Sequence, residues 1–313
     1  EAIVDIAIGF MGAKRLFAAS RIGLFSALAD APLDAAALSA ATGAPERQVR
    51  ILADSMAAQG LLTREAGRYA LTPDAAAYLT GDRAELDLAP FLAFLGATSY
   101  PQWLGYDATV DTDAPGVLEL DEAGWGAFLA GVMRYNELHA AMLARHFAFT
   151  PSRDALDFGG LSPAFAVEGL KVNPELRVRF VFDPQSVEAA GFGDRTAVEG
   201  ADTADAQPGG SHDLVLVNHV IHRFDAAQNR TILGNARGAA AEGATLVLLD
   251  FFLDDDPHQR KIDALHAGEY YNIDGTVVYQ ESVVRDWLAD TGWRAERTVA
   301  LPGSPRILLA TAV

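Results

Sequence analysis

The feature that most limits the fold of this chain is a change of pattern at about residue 153. After this point, short apolar runs alternate with helical segments. Such alternation, with about 10 to 15 helical residues between strands, is typical of a mostly parallel sheet covered by helices on both faces. The predicted strands are 155–158, 178–182, 214–217, 245–249 and 306–310, with a shorter one just before Glu199, and the clearest helices are 225–241 and 283–291.

The N-terminal half has a different pattern, which is mostly helical with one small hairpin. Apolar spacing predicts helices over residues 1–30 and 45–59. Segments 61–63 and 68–72 alternate around Gly67 as strands of a β-hairpin do. Helices followed by a two-stranded wing indicate a winged helix, which can either bind DNA or act as a scaffold or dimerisation module.

Composition decides between these two roles of a winged helix. The formal net charge is −18, and DNA binding depends on cationic side chains that neutralise phosphates, so we expect no nucleic-acid partner. The chain of 313 residues contains no cysteine, which excludes disulfides, thiolate zinc sites and thiol catalysis and fits a cytoplasmic protein. No apolar run approaches the roughly 20 residues of a membrane span, so we expect no membrane partner.

The loop after the first predicted strand reads Asp157-Phe158-Gly159-Gly160-Leu161-Ser162-Pro163. Ligands of parallel sheets bind at the carboxyl ends of the strands, and glycines there let a ligand approach bare backbone. Ser162 and Pro163 are suited to begin a helix, with serine as N-cap and proline at the first helical position. This loop therefore predicts a nucleotide-type site.

Polar side chains follow the later strands as well. Asp183, after the second strand, could accept hydrogen bonds from two ribose hydroxyls. Asp202 lies in a loop after the short third strand, where it could bind an adenine amino group or be a solvated carboxylate. Asn218 follows the fourth strand directly.

The best candidate for a catalytic group is His222, in the segment that follows Asn218. A neutral imidazole can accept a proton near neutral pH, and Asp250, at the end of the fifth strand, could orient the ring. The alternative is a hydrogen-bonded structural histidine, an interpretation that also suits His219. We expect no metal site, because the run 254–256 resembles a solvated loop and His258 and His266 lack a paired ligand pattern.

This order of motifs resembles the bacterial small-molecule O-methyltransferases of natural-product tailoring over essentially the whole chain. In that family the loop reads D-x-G-G-G-x-G, followed by F-D-x-P, a G-D element and H-D-W with the general base. The matching residues here are Asp157, Gly159, Gly160, Asp183, Pro184, Asp202 and His222. Arg223 and Phe224 stand where the family has Asp and Trp, and Asp250 where it usually has a glutamate.

The resemblance implies an α/β fold of two parts. Residues 1–105 would form a mostly helical, winged-helix dimerisation domain, 106–152 a helical linker, and 153–313 a Rossmann-like class I methyltransferase domain. It further implies a homodimer formed through residues 1–30 and 85–105.

The resemblance also implies a site. Asp157, Gly159, Gly160, Asp183, Asp202 and Asn218 would bind S-adenosylmethionine, and His222, Asp250 and Arg223 would act on a small-molecule hydroxyl. Leu161 and Pro163 depart from the family by replacing two glycines, and Pro163 removes a backbone donor.

Three functions follow from this pattern. The first is methyl transfer from S-adenosylmethionine with His222 as general base. The second is a cyclisation, isomerisation or elimination on the same fold without the cofactor, which Leu161 and Pro163 would favour. The third is a non-enzymatic regulatory protein, which the acidic charge and the retained histidine disfavour.

Overall fold

The computed structural model describes residues 2–182, 193–255, 257 and 259–313. These residues form two compact units, one of 1–105 with 119–135 and one of 106–118 with 136–313. The segment predicted as a linker, 106–152, is thus divided between the two units. Among the helices of the described ranges, none combines the length and the apolar character that a membrane crossing requires.

The first unit is mainly helical. Its helices are α1 (Ala2–Arg21), α2 (Leu24–Ala27), α3 (Ala35–Thr42), α4 (Glu46–Ala58), α5 (Pro73–Tyr78), α6 (Ala89–Phe94) and α7 (Tyr100–Trp103). Strands β1 (Leu33–Asp34), β2 (Leu62–Glu65) and β3 (Arg68–Leu71) form an antiparallel sheet in the order β1-β3-β2. The predicted hairpin around Gly67 is therefore present, whereas the predicted helix over 1–30 ends at Arg21, before Gly23 with its φ of 73°.

The second unit is built on one large sheet. Its helices are α8 (Tyr106–Thr112), the later part of α9 (Glu122–His146), α10 (Ala164–Val172), α11 (Ala226–Gly238), α12 (Lys261–Asp274) and α13 (Glu281–Asp290). Its strands are β4 (Asp154–Phe158), β5 (Arg177–Val181), β6 (Thr196–Glu199), β7 (His212–Asn218), β8 (Ala240–Asp250), β9 (Trp293–Ala300) and β10 (Arg306–Ala312).

The sheet confirms the α/β prediction. Its strand order is β6-β5-β4-β7-β8-β10-β9, with the first five strands mutually parallel and β10 antiparallel to both β8 and β9. Alternate side chains of the central strands enter two buried clusters. Leu248 packs in the cluster that contains Trp287 of α13, and Leu249 in the cluster that contains Phe165 of α10. Both faces are covered, as the apolar strand sequences require.

Three local predictions were wrong. Helix α11 ends at Gly238 rather than at 241, because residues from Ala240 onward already belong to β8. Strand β9 was not predicted, since charged residues interrupt its sequence as an edge strand permits. The N-cap of α10 is Pro163 rather than Ser162, because the Pro163 carbonyl accepts the first helical hydrogen bond, from Val167.

Candidate active site

The parallel register places the ends of β4, β7 and β8 at one edge of the sheet. Asp157 of β4 lies opposite Leu216 of β7, and Asn218 of β7 lies opposite Leu249 of β8. The residues that follow these strands are therefore brought together, as the strand-end rule predicts.

His222 and Asp250 form the most direct contact at this edge. His222 lies in a short 3-10 turn (Ile221–Arg223) after β7, and its Nδ1 is 3.0 Å from Oδ2 and 3.1 Å from Oδ1 of Asp250. Asp250 is fully buried, while 12% of the His222 side chain is exposed. Burial alone would raise the pKa of Asp250, but the neighbouring His222 and His219 hold that pKa below its ordinary value. The carboxylate is thus ionised and can hold the imidazole in one orientation.

His219 approaches the same carboxylate from the interior. Its Nδ1 lies 3.9 Å from Oδ1 of Asp250, and its Nε2 is 2.9 Å from Nδ1 of His139 in α9. Burial lowers the pKa of His219 to about 3, so the ring is neutral. The backbone of His219 has a φ of 54°, which is unfavourable for a side chain other than glycine. Its N–H donates to the Leu249 carbonyl at 2.8 Å, which holds this conformation.

Aromatic rings surround this pair of histidines. The ring of Tyr270 lies 4.5 Å from that of His222, and His266 stacks on Phe251 at 3.7 Å between ring centroids. Burial lowers the pKa of His266 to about 4. The segment 268–272 therefore places an aromatic side chain directly beside the predicted base.

The glycine loop is closely packed against the following loop. Gly159 has a φ of 81°, and a Cβ added there would lie 2.2 Å from Cγ2 of Thr203. A Cβ on Gly160 would lie 3.3 Å from the carbonyl of Asn218. The protein's own packing thus requires glycine at 159 and leaves little room for a side chain at 160.

Asp157 and Leu161 flank these glycines in opposite environments. Asp157 is fully buried, and burial raises the pKa of its carboxyl well above the ordinary value. Leu161 is 41% exposed. The carboxyl group thus lies beneath the loop, and the branched side chain of Leu161 is not packed into the interior.

Arg223 lies on the other side of this loop. Its Nη2 donates to the Gly159 carbonyl at 2.9 Å, and its guanidinium lies 5.1 Å from the ring of Phe224. Within the described part of the chain, its Nε and Nη1 are buried without a hydrogen-bond partner. The structure thus brings Arg223 to the glycine loop, one residue along from the predicted base.

Two of the other predicted binding residues, Asn218 and Asp202, lie in the described part of the chain. Asn218 accepts from the Leu249 N–H with Oδ1 at 3.2 Å, and its buried Nδ2 has no partner among the residues described. Asp202 is exposed and caps its own loop by accepting from the Ala204 N–H at 2.9 Å. Asp183 lies outside the described residues.

No metal site was predicted, although the structure gathers suitable donor atoms. His219, His222 and Asp250 have possible ligand atoms within 4.8 Å of one another. Nδ1 of His222 is already bonded to Asp250, the arrangement expected of a base and its carboxylate. Asp254, from the acidic run, pairs with Arg306 at 2.6 Å, whereas Asp256 and His258 lie outside the described residues.

Two residues of the site were not found from the sequence. His139 lies in the middle of α9, and its only signal was a histidine among apolar helix residues such as Leu143. Thr203 belongs to no recognisable motif. Its contact with Gly159 depends on how two loops pack together, which the sequence does not show.

Comparison with known protein families gives two matches along this chain. Residues 4–81 match the O-methyltransferase dimerisation domain, and residues 106–285 match the O-methyltransferase domain. A 3-hydroxy-5-methyl-1-naphthoate 3-O-methyltransferase of Streptomyces sahachiroi is 31% identical, over 96% of this chain and 92% of that protein.

Solved structures with the same fold are also similar over nearly the full length. CalO1, a methyltransferase of calicheamicin biosynthesis in its S-adenosylhomocysteine-bound form, has a TM-score of 0.87 at 19% identity, covering 100% of this chain and 97% of that one. Human N-acetylserotonin methyltransferase in complex with S-adenosylmethionine has a TM-score of 0.84 at 21% identity, covering 99% and 96%.

Proposed function

Because the chain belongs to the O-methyltransferase family, we propose that it transfers a methyl group from S-adenosylmethionine to a hydroxyl of a small natural product. The resemblance seen in the sequence is confirmed at the level of the family and of the two-part fold. The observation that carries the proposal is the bond between His222 and Asp250 at the carboxyl edge of the sheet.

His222 would act as general base. With Nδ1 bonded to the ionised Asp250, that nitrogen carries the ring proton, and Nε2 is left with the lone pair that a base needs. The hydroxyl proton of the acceptor would pass to Nε2, and Asp250 would stabilise the imidazolium that forms. When bound, S-adenosylmethionine supplies an electrophilic methyl carbon on a positively charged sulfur.

The residues at the sheet edge fit such a cofactor. Buried polar atoms of Asn218 and Arg223 lack partners in the described part of the chain, as expected where a polar ligand completes the site. Leu161 is 41% exposed, so its side chain lies at the surface of the loop and is not packed into the interior. Gly159, Gly160, Asn218 and Asp202 would hold the cofactor, together with Asp157 beneath the loop.

The first unit would supply the dimer contact. Its α3, α4 and three-stranded sheet would form the winged helix, used for dimerisation rather than for DNA. Helix α1 presents exposed apolar side chains that a second copy would cover: Ile3, Ile6, Ile8, Phe10 and Met11. The protein would thus act as a homodimer, in the cytoplasm, in secondary metabolism.

The test of this function begins with calorimetric titration of the protein with S-adenosylmethionine and S-adenosylhomocysteine. We expect micromolar binding of both, followed by transfer of labelled methyl to a panel of hydroxynaphthoates. His222→Gln should bind the cofactor as the wild type does and lose about 100-fold or more in rate.

His146→Gln is the matched control, because His146 is an exposed histidine at the end of α9. Full activity of His222→Gln would remove the base assignment. No cofactor binding up to millimolar concentration would remove methyl transfer itself and favour a cofactor-independent reaction.

A further inference from the structure

Arg223 carries a positive charge that the described protein leaves without an anionic partner. The guanidinium makes a single hydrogen bond in the described structure, to a neutral acceptor, the Gly159 carbonyl. Asp202 and Asp250 act on it only from a distance, and burial lowers the pKa of its guanidinium. Asp250 is already engaged by His222.

A buried guanidinium without a carboxylate is costly, since desolvation removes its water and no opposite charge compensates. Nε and Nη1 of Arg223 are the atoms left without partners in the ranges that the structure describes. A guanidinium offers donors in a planar fork that matches the two oxygens of a carboxylate. A carboxylate of a ligand would therefore satisfy the unpaired donors of Arg223.

Two backbone donors at the start of the helix that follows the glycine loop are not available to an anion. The start of a helix normally presents free N–H groups to such a ligand. Here Pro163 has no N–H, and the Ala164 N–H donates to the Ser162 hydroxyl at 3.3 Å. Arg223 donates to the Gly159 carbonyl of this loop, so its remaining donors can take the place of these two.

We propose that Arg223 binds the carboxylate group of a ligand seated on the Gly159 loop. The proposal rests on the function above and adds the chemistry that this one side chain recognises. The carboxylate has two possible sources, the amino-acid end of the cofactor and an acid group on the acceptor. The experiment separates them by using probes with and without that group.

The first pair of probes is S-adenosylhomocysteine and 5′-methylthioadenosine, which share the nucleoside and the thioether but not the amino-acid group. The second pair is 3-hydroxy-2-naphthoate and 2-naphthol, which share the hydroxylated ring system but not the carboxylate. Binding of all four is measured by calorimetry to the wild type, Arg223→Gln and Arg223→Lys.

We expect Arg223→Gln to weaken binding of one carboxylate probe by about 10- to 100-fold and to leave its carboxylate-free partner unchanged. Loss for S-adenosylhomocysteine assigns the cofactor as the source, and loss for the hydroxynaphthoate assigns the acceptor. Arg223→Lys, which keeps the charge without the fork, should recover part of the affinity.

Arg230→Gln is the control, because Arg230 is an exposed arginine in α11 whose partner is Asp290. Circular dichroism and the urea midpoint establish that each variant is folded. Equal or tighter binding of both carboxylate probes to Arg223→Gln would overturn the proposal, as would a wild type that binds neither. If the wild type binds the hydroxynaphthoate but not S-adenosylhomocysteine, methyl transfer fails while the role of Arg223 is still decided by the acceptor arm.

Discussion

Nδ1 of His222 contacts both carboxylate oxygens of Asp250, at 3.1 and 3.0 Å, although 27 residues separate the two in sequence. The contact forms because β7 and β8 are adjacent and parallel, so that the residues following β7 meet the end of β8. A buried carboxylate that accepts from one ring nitrogen keeps the proton on that nitrogen, so the other nitrogen carries the lone pair.

Asp250→Asn should lower kcat by about 100-fold while leaving cofactor binding within about twofold of wild type. The amide keeps the size of the side chain but removes the charge that stabilises the imidazolium. Labelled methyl transfer measures the rate, and Asp290→Asn, an exposed aspartate in a surface pair, is the control. A rate within twofold of the wild type would show that the carboxylate charge is not needed.

Acid should destabilise this protein below about pH 6.5 through its buried histidines. Burial lowers the pKa of His219 to about 3 and of His266 to about 4, and it lowers the pKa of His139 as well. An unfolded histidine titrates near pH 6.5, so below that pH the unfolded chain binds more protons than the folded one. The stability is present above about pH 6.5 and is lost as the pH falls towards 4.

Each such histidine contributes a slope of up to about 1.4 kcal/mol per pH unit in this window. Urea unfolding between pH 4.5 and 7.5 measures the slope. His266→Gln should reduce the slope by the equivalent of about one proton bound on unfolding. His146→Gln, at an exposed position, should leave the slope unchanged. An unchanged slope in His266→Gln would contradict the buried, neutral state of that ring.

Gly159→Ala should destabilise the second unit more than a positive φ alone explains. The φ of 81° costs an alanine about 1–2 kcal/mol, and the added methyl group would also lie 2.2 Å from the Thr203 side chain. Gly67→Ala is the matched control, with a φ of 78° and open space around its Cβ. Urea unfolding should show a larger loss for Gly159→Ala, part of which Thr203→Ser restores by removing the clashing methyl. Equal losses for the two glycine variants would disprove the clash.

Arg306→Met should destabilise the protein by about 3–5 kcal/mol, because it removes the nearest cation of two carboxylates and leaves Asp263 only Arg260, at 3.5 Å. Arg306 pairs with Asp254 at 2.6 Å and with buried Asp263 at 2.8 Å. Arg294→Met, in an exposed pair with Glu296, should change stability by less than about 1 kcal/mol. Chemical denaturation compares them, and a loss below 1 kcal/mol in Arg306→Met would rule out the buried network as a stabilising element.

The alternation of strands and helices was sufficient to place His222 and Asp250 near each other. Both follow predicted strands, and parallel strands end at a common edge, so no contact information was needed. The contact between His139 and His219 could not be predicted in this way. The helical pattern of α9 does not show which residue of another element a buried side chain meets. The close neighbour of Gly159 depends in the same way on loop packing, since Thr203 belongs to a different loop.

The effect of the two replaced glycines, at Leu161 and Pro163, was less predictable from the sequence than the fold was. The sequence shows that Leu161 replaces a glycine of the family, but a pattern of residue types does not reveal the direction of a side chain; in the structure Leu161 is exposed. The position of Arg223 was predicted as part of the catalytic group, whereas its hydrogen bond to the Gly159 carbonyl follows from the 3-10 turn after β7.

The position of β10 between β8 and β9 has a consequence for biosynthesis. Within the described sheet, β9 pairs only with β10, although β9 precedes it in the chain. During translation, the strand that ends in Asp250 therefore lacks its second neighbour until residues 306–312 have left the ribosome. Until then the open edge of β8 is a template for pairing with other chains. Residues 306–312 thus complete the sheet that carries the contact between His222 and Asp250.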